Sequence, residues 1–405
     1  MDQQNSLFTL ANGLRVAYLR KPGNVAYCGL AINAGSRDDG NLFGLAHFVE
    51  HTIFKGTKKR KAWHILNRME RIGGELNAYT TKEETLIYSV FPSGNMTRAV
   101  ELISDLVCGS IFPEKELEKE KDVVVEEIQS YRDTPSEAIF DDFEDLIFAG
   151  SPLGHNILGD ESTLESITSQ HCMDYIKNLY VPENMVLFAV DSIPAEKFQK
   201  LAERHFSHMN HSLTRPARKQ IVPVERFNTV RDFETHQSHT IIGTQTFGMH
   251  DADKYSLLLL NNILGGPGMN STLNISIREK RGYAYTVESS VTLLPDCGLF
   301  TIYFGSDERH AAKCIKLAEQ ELIGIAEHGL SQNALNAAKK QYTGQLIVSS
   351  ENPESKALSL GKEILYYNKI LTIEEIVKQI NAVTNEDIRR IGQMLYEGRS
   401  ILTFK

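Results

Sequence analysis

The chain has 405 residues, enough for two or more domains, and its 41% hydrophobic and 23% charged residues are ordinary for a globular protein. A net charge of −9, with no basic run longer than Lys58-Lys59-Arg60-Lys61, argues against a nucleic-acid partner. The longest apolar runs, such as Leu257-Leu258-Leu259-Leu260, are far too short to span a bilayer, which argues against a membrane protein.

Met1 to Asn5 shows no basic segment leading into an apolar one, as a secretory signal would. Cys28, Cys108, Cys172, Cys297 and Cys314 are scattered, odd in number and without C-x-x-C spacing. Both features predict free thiols in a reducing compartment, the cytoplasm. Residues 8–19 read as a hairpin turning at Asn12-Gly13, and residues 24–35 as a further apolar strand.

Residues 44–57 are the informative stretch. They hold His47-x-x-Glu50-His51 among Leu45, Ala46, Phe48, Val49, Ile53 and Phe54, which predicts a buried helix. Residues three and four apart share a helix face, so His47, Glu50 and His51 project together. Two neutral imidazoles supply two of the three protein ligands of a catalytic zinc, and a carboxylate one turn away is placed to take a proton from water. The order H-x-x-E-H is the inverted zincin motif. The competing reading is a buried helix whose histidines bond to backbone. It leaves two imidazoles and a carboxylate uncompensated on an apolar helix.

A helix over 62–72, closed by Gly73-Gly74, leads to strands over 75–81 and 85–91, with Lys82-Glu83-Glu84 at the turn. Helical periodicity then covers 96–107, 114–131 and 136–148. In the second of these, Glu120 and Glu127 lie seven residues apart on one face, with Glu127 in an apolar segment where an unpaired carboxylate is costly. A helix over 169–179, a strand over 185–190 and a helix over 195–206 complete the first half. Residues 208–226, with Pro216, Pro223 and several basic residues, read as an interdomain linker.

The second half echoes the first. Aligned on Gly35 and Gly248, the motif falls on Leu260-Asn261-Asn262-Ile263-Leu264, so a duplicated fold with one copy stripped of ligands is expected. Gly265-Gly266-Pro267-Gly268 opens a helix running to Arg281, but has neither the Walker ending nor dinucleotide spacing. Strands over 283–293 and 298–304 follow, then helices up to Tyr396.

Together these residues resemble the pitrilysin/insulysin family of zinc peptidases, in its mitochondrial-processing-peptidase-like branch, over essentially the whole chain. His47-x-x-Glu50-His51 matches the family's inverted zinc motif. Its third ligand is a Glu in a Val/Ile-rich helix with another Glu seven residues earlier, and the matching positions are Glu127 and Glu120. The resemblance therefore implies one Zn2+ per chain on His47, His51 and Glu127, with Glu50 as general base and Glu120 orienting His51 or tuning the metal. Asn77-Ala78-Tyr79-Thr80 resembles the edge strand to which an extended substrate adds. Arg278-x6-Tyr285 resembles the Arg/Tyr pair that reaches the scissile bond, Arg for a carbonyl and Tyr for the oxyanion. Pro267, and Thr272 where relatives commonly have Arg, depart from the pattern.

The implied fold is α+β: two similar domains, each a mostly antiparallel sheet with helices on one face, over 1–207 and 227–405. Family members enclose substrate between two such pairs of domains, and this chain has residues for one pair. That implies a homodimer in which His47 of one chain faces Arg278 and Tyr285 of the other, cutting peptides or unfolded polypeptide. The alternative within the family is a non-catalytic or partner-dependent peptide-binding subunit of a heteromeric processing peptidase. The intact ligand set and base favour the enzyme.

Overall fold

The computed structural model describes residues 4–209, 218–219 and 221–405. Residues 210–217 and 220 of the expected linker lie outside them, and 221–227 carries no helix or strand.

The first half contributes strands β1 Gln4–Thr9, β2 Arg15–Arg20, β3 Val25–Ile32, β4 Glu75–Thr80, β5 Thr85–Pro92 and β6 Met185–Asp191. Its helices are α1 Leu45–Thr52, α2 Ala62–Glu70, α3 Met96–Gly109, α4 Glu114–Arg132, α5 Pro135–Ile147, α6 Glu161–Ser166, α7 Ser169–Leu179 and α8 Ala195–Phe206. The second half has β7 Asn228–Arg231, β8 Ser238–Thr246, β9 Ala284–Leu293, β10 Gly298–Ser306 and β11 Ser400–Phe404. Its helices are α9 Lys254–Gly265, a π-helix Asn274–Glu279, α10 Glu308–His328, α11 Gln332–Ser349, α12 Pro353–Tyr367, α13 Ile373–Ala382 and α14 Asn385–Glu397.

The strands form two sheets, ordered β1-β2-β6-β3-β5-β4 and β7-β11-β8-β10-β9. Each has one parallel pair, β2 with β6 and β7 with β11, and is otherwise antiparallel. Without the hairpin strand β1, the two orders are the same topology traced twice. α1, between β3 and β4, corresponds to α9, between β8 and β9. The Leu260–Leu264 stretch that aligns with the motif does lie on α9. The expected α+β architecture of two similar, mostly antiparallel sheets is the observed one.

The strands show how each sheet packs. In β3, Ala26, Cys28, Leu30 and Ile32 join the core beneath α1, α3 and α8, while Ala31 and Tyr27 face the other way. β6 is buried on both faces, with Met185, Leu187 and Ala189 on one and Val186, Phe188 and Val190 on the other. A strand apolar on both faces must be covered twice. The first sheet's second cover is α12, whose Ala357, Leu360, Ile364 and Leu365 pack on that face. The Phe188 ring fills the space a side chain at Gly361 would need: a Cβ there would lie 2.5 Å from it. The second sheet solves the same problem reciprocally. Its β10 puts Phe300, Ile302 and Phe304 into one core and Leu299 and Tyr303 into another, the latter covered by Ala138, Ile139 and Phe143 of α5. By chain order α5 and α12 are counterparts, so each sheet takes one helix from the other half of the sequence.

The compact units are accordingly discontinuous: 1–129, 155–218 and 350–370 form one, and 130–154, 219–349 and 371–405 the other. The expected bounds 1–207 and 227–405 follow the two sheets, but not the exchange of these helical segments.

In the first unit, the β4–β5 turn is clamped by buried charge. Arg37 bonds Glu83, both side chains being 1% exposed, and Arg218 reaches Glu83 at 2.7 Å and Asp38 at 3.1 Å. Lys362 of α12 pairs with Glu84. Removing one partner of a buried ion pair strands the other charge in a low-dielectric interior. Glu83→Ala is therefore expected to cost about 3–5 kcal/mol, read as a lowered denaturation midpoint of the purified protein.

Candidate metal centre

α1 is only eight residues long, and its start is set from outside the helix. Gly44 precedes it with φ +90°, and a Cβ there would meet the Leu158 carbonyl oxygen at 2.5 Å, so glycine is required on both counts. The Asp39 carboxylate accepts from the Gly44 and Ala46 N–H groups, each at 2.8 Å, and so caps the helix N-terminus from five residues upstream. His155 Nε2 lies 3.2 Å from the same carboxylate. Burial raises the Asp39 carboxyl above its ordinary range against these bonds.

With Leu45, Ala46, Phe48 and Val49 packed into the core, the other face of α1 presents His47, Glu50 and His51. Glu127 comes from α4. Its Oε2 lies 3.7 Å from His47 Nε2 and 3.4 Å from His51 Nε2, and the imidazole centroids are 4.5 Å apart. Metal-binding atoms of all three residues lie within 4.8 Å of one another. In a tetrahedral site with bonds of about 2.0–2.1 Å, ligand atoms stand roughly 3.3–3.4 Å apart. Glu127 Oε2 already stands at nearly that spacing from both imidazole nitrogens, and two imidazoles with one carboxylate suit zinc. Among the described residues this is the one group of three or more His, Cys, Asp or Glu with such geometry.

The two histidines differ electrostatically. Burial, then the neighbouring His51, depresses His47 to about 4, which keeps it neutral. Burial opposes charge on His51 too, but bonds to Glu120 and Glu127 outweigh it and push its pKa up to about 9. Glu120 accepts from His51 Nδ1 at 3.1 Å and from Lys55 Nζ at 2.6 Å. His51 is thus held with Nε2 turned toward Glu127, the arrangement by which carboxylates orient metal-binding histidines. Lys55 was not among the expected site residues. Its place one turn beyond His51 is the signal that could have found it.

Glu50 lies one turn from His47. Burial pushes its carboxyl above the usual range, outweighing hydrogen bonds from the Thr80 side chain and backbone. Its Oε2 is buried and has no partner among the described residues. Asn77, Ala78, Tyr79 and Thr80 form most of β4, the last strand of its sheet, and are all partly buried. Strand alternation divides them: Ala78 packs on the core under α1, while Tyr79 joins the opposite core and lies 5.1 Å beneath Lys362 Nζ. Thr80 shares the α1 side with Ala78, and so reaches Glu50.

Arg278 and Tyr285 belong to the second unit. Arg278 sits on the π-helix rather than on an ordinary α-helix, and Tyr285 on β9. The guanidinium carbon lies 5.2 Å from the Tyr285 ring, and Tyr285 is 79% exposed. The structure thus brings together His47, His51, Glu127, Glu50 and Glu120 in one unit, and Arg278 with Tyr285 in the other.

Residues 15–161 match the family model described as "Insulinase (Peptidase family M16)", and residues 166–342 match "Peptidase M16 inactive domain". An uncharacterized zinc protease of Bacillus subtilis is 32% identical over 397 residues, covering 96% of this chain and 95% of its own. One from Rickettsia felis is 32% identical over 402 residues, covering 98% and 96%. Among solved structures, a protease from Helicobacter pylori superimposes at TM-score 0.91 and 20% identity, over 100% of both chains. A peptidase M16 inactive domain from Pseudomonas fluorescens superimposes at 0.92 and 20%, over 99% of this chain and 98% of its own. At that identity the two structures share the fold.

Proposed function

The chain belongs to the M16, or pitrilysin/insulinase, family of peptidases, and on that premise we propose that it is a zinc-dependent endopeptidase acting on peptides or unfolded polypeptide. The observation that carries this is the placement of Glu127 Oε2 3.7 Å from His47 Nε2 and 3.4 Å from His51 Nε2, close to the ligand spacing of a tetrahedral site, with the Glu50 carboxylate one turn away. His47, His51 and Glu127 hold one zinc per chain. When bound, zinc polarises the scissile carbonyl and lowers the pKa of water.

The protein's own groups do the rest. Glu50 takes the proton from the attacking water and delivers it to the departing amine, its burial keeping it basic enough for both. Glu120 is a positioning residue, holding the His51 ring through Nδ1. An extended substrate adds to β4 along Asn77–Thr80 through main-chain hydrogen bonds. Arg278 holds a substrate carbonyl, and Tyr285 donates to the oxyanion. We place the enzyme in the cytoplasm, the reducing compartment suited to five scattered cysteines without C-x-x-C spacing. Among the described residues, no helix is long and apolar enough to cross a membrane. We further propose a homodimer in which the Arg/Tyr pair of one chain completes the zinc site of the other.

Metal removal tests the reading. The purified protein is expected to carry one equivalent of zinc and to cleave a quenched mixed-sequence peptide library. Chelation should abolish cleavage, and added zinc should restore it. A protein that binds no zinc overturns the proposal; one that binds zinc and peptides without cutting favours the peptide-binding subunit.

A further inference from the structure

β4 is the last strand of its sheet, bonded to β5 along one edge only. Beyond that ladder, such a strand is held by what packs on its two faces. Alternation sends Leu76 and Ala78 toward the core under α1, and Glu75, Asn77 and Tyr79 the other way. Of these three, Tyr79 alone joins the core beneath α12. That face of β4 is therefore anchored by one side chain.

α12 meets it with a cation. Lys362 Nζ lies 5.1 Å from the centroid of the Tyr79 ring, within the range of a cation–π contact. The same ammonium pairs with Glu84, a buried carboxylate immediately before β5. One group thus touches both legs of the β4–β5 hairpin. Near the start of α12, Glu354 accepts from the Tyr88 hydroxyl at 3.1 Å. Tyr88 lies in β5, and its ring meets that of Tyr79 edge-on, with centroids 6.5 Å apart.

We infer that Lys362 is a positioning residue for substrate: by clipping Tyr79 to Glu84 from α12, it holds β4 in the extended form to which a peptide strand is added. The kinetic consequence rests on the peptidase reading; the structural one rests on the geometry alone.

A peptide that pairs with an edge strand gains affinity through main-chain bonds, and gains most when the template is already ordered. A loosened β4 has to be ordered at the moment of binding, and that cost is subtracted from affinity. Substrate aligned along the strand is held before and during the reaction alike, so the loss falls on KM and spares kcat. Lys362 acts on the sheet face opposite α1, which keeps its effect separate from the zinc ligands.

The test compares Lys362→Met, Lys362→Arg and the double variant Lys362→Met with Glu84→Gln against wild type. Methionine keeps an unbranched apolar side chain and removes the charge. It also strands the buried Glu84 carboxylate, which the double variant neutralises. With a quenched peptide substrate and stoichiometric zinc, both methionine variants are expected to raise KM about 3- to 10-fold, with kcat within about twofold of wild type. Arginine keeps a cation over the ring and a donor for the carboxylate, so Lys362→Arg is expected to restore KM. Hydrogen exchange without substrate gives a second readout. The β4 amides should exchange faster in both methionine variants, and as in wild type in Lys362→Arg. A double variant with wild-type KM would assign Lys362 to folding stability alone and overturn the inference. So would a fall in kcat at unchanged KM, or unchanged exchange of β4. If wild type itself neither binds nor cuts peptide, the peptidase reading fails, and the exchange comparison still decides this one.

Discussion

Glu50→Gln is expected to lower peptide cleavage by roughly 10³-fold or more while leaving zinc at one equivalent per chain. The ligands are His47, His51 and Glu127, so the substitution removes no donor. Glutamine keeps the volume of the buried side chain and a carbonyl oxygen that accepts hydrogen bonds as a carboxylate oxygen does. What it loses is basicity. A carboxylate in this pocket is more basic than in water because burial disfavours its charged form, which suits a group that must take a proton near neutral pH. Zinc analysis and steady-state cleavage on the same preparations check both halves of the expectation. Loss of zinc with loss of activity would make Glu50 a structural support of the site, and retained activity would remove it as the base.

Much of this centre is legible in sequence because it is local. His47, Glu50 and His51 are one helical turn apart, and Glu120 and Glu127 two turns apart, so helical periodicity alone groups each set. That the two sets meet is a tertiary fact. No spacing rule brings α4 to α1, and the pairing of Glu127 with His51 came only from resemblance. Asp39 escaped notice because it caps α1 from five residues away, across Gly44, whereas familiar caps sit within three.

The fold was read in the same way. Period-two patterns located the strands of the first sheet and, in the second, β9 and β10, but not β7, whose four residues follow directly on a segment read as linker. The six-residue helix α6 is too short for periodicity to show and rests on its Asp160 cap. What sequence patterns could not assign was the destination of α5 and α12. Both are amphipathic and follow helices of similar length, and only the second apolar face of β6 and β10 hints that each sheet needs another cover. The π-helix around Arg278 is equally silent, since it differs from an α-helix in hydrogen bonding, not in composition.

A heterodimer carrying Glu50→Gln in one chain and Arg278→Ala in the other is expected to recover about half of wild-type activity if each site is completed by the partner. The arithmetic follows from symmetry. One of its two sites combines an intact Glu50 with an intact Arg278 from the opposite chain; the other has neither. If each chain completed its own site, both sites would lack one residue, and activity would stay at the level of the parent variants. Each parent homodimer should be severely impaired: Glu50→Gln for want of a base, Arg278→Ala by roughly 10²–10³-fold as expected for removing a donor aimed at developing charge. The exposure of Arg278 and Tyr285 gives the pair a surface on which a partner chain can act. Co-expression with two affinity tags and sequential purification isolates the mixed dimer, and the same peptide assay reads it. Recovery well above both parents supports completion in trans. Its absence, or a monomer that is fully active at high dilution, excludes the dimeric chamber and returns the Arg/Tyr pair to the chain that carries it.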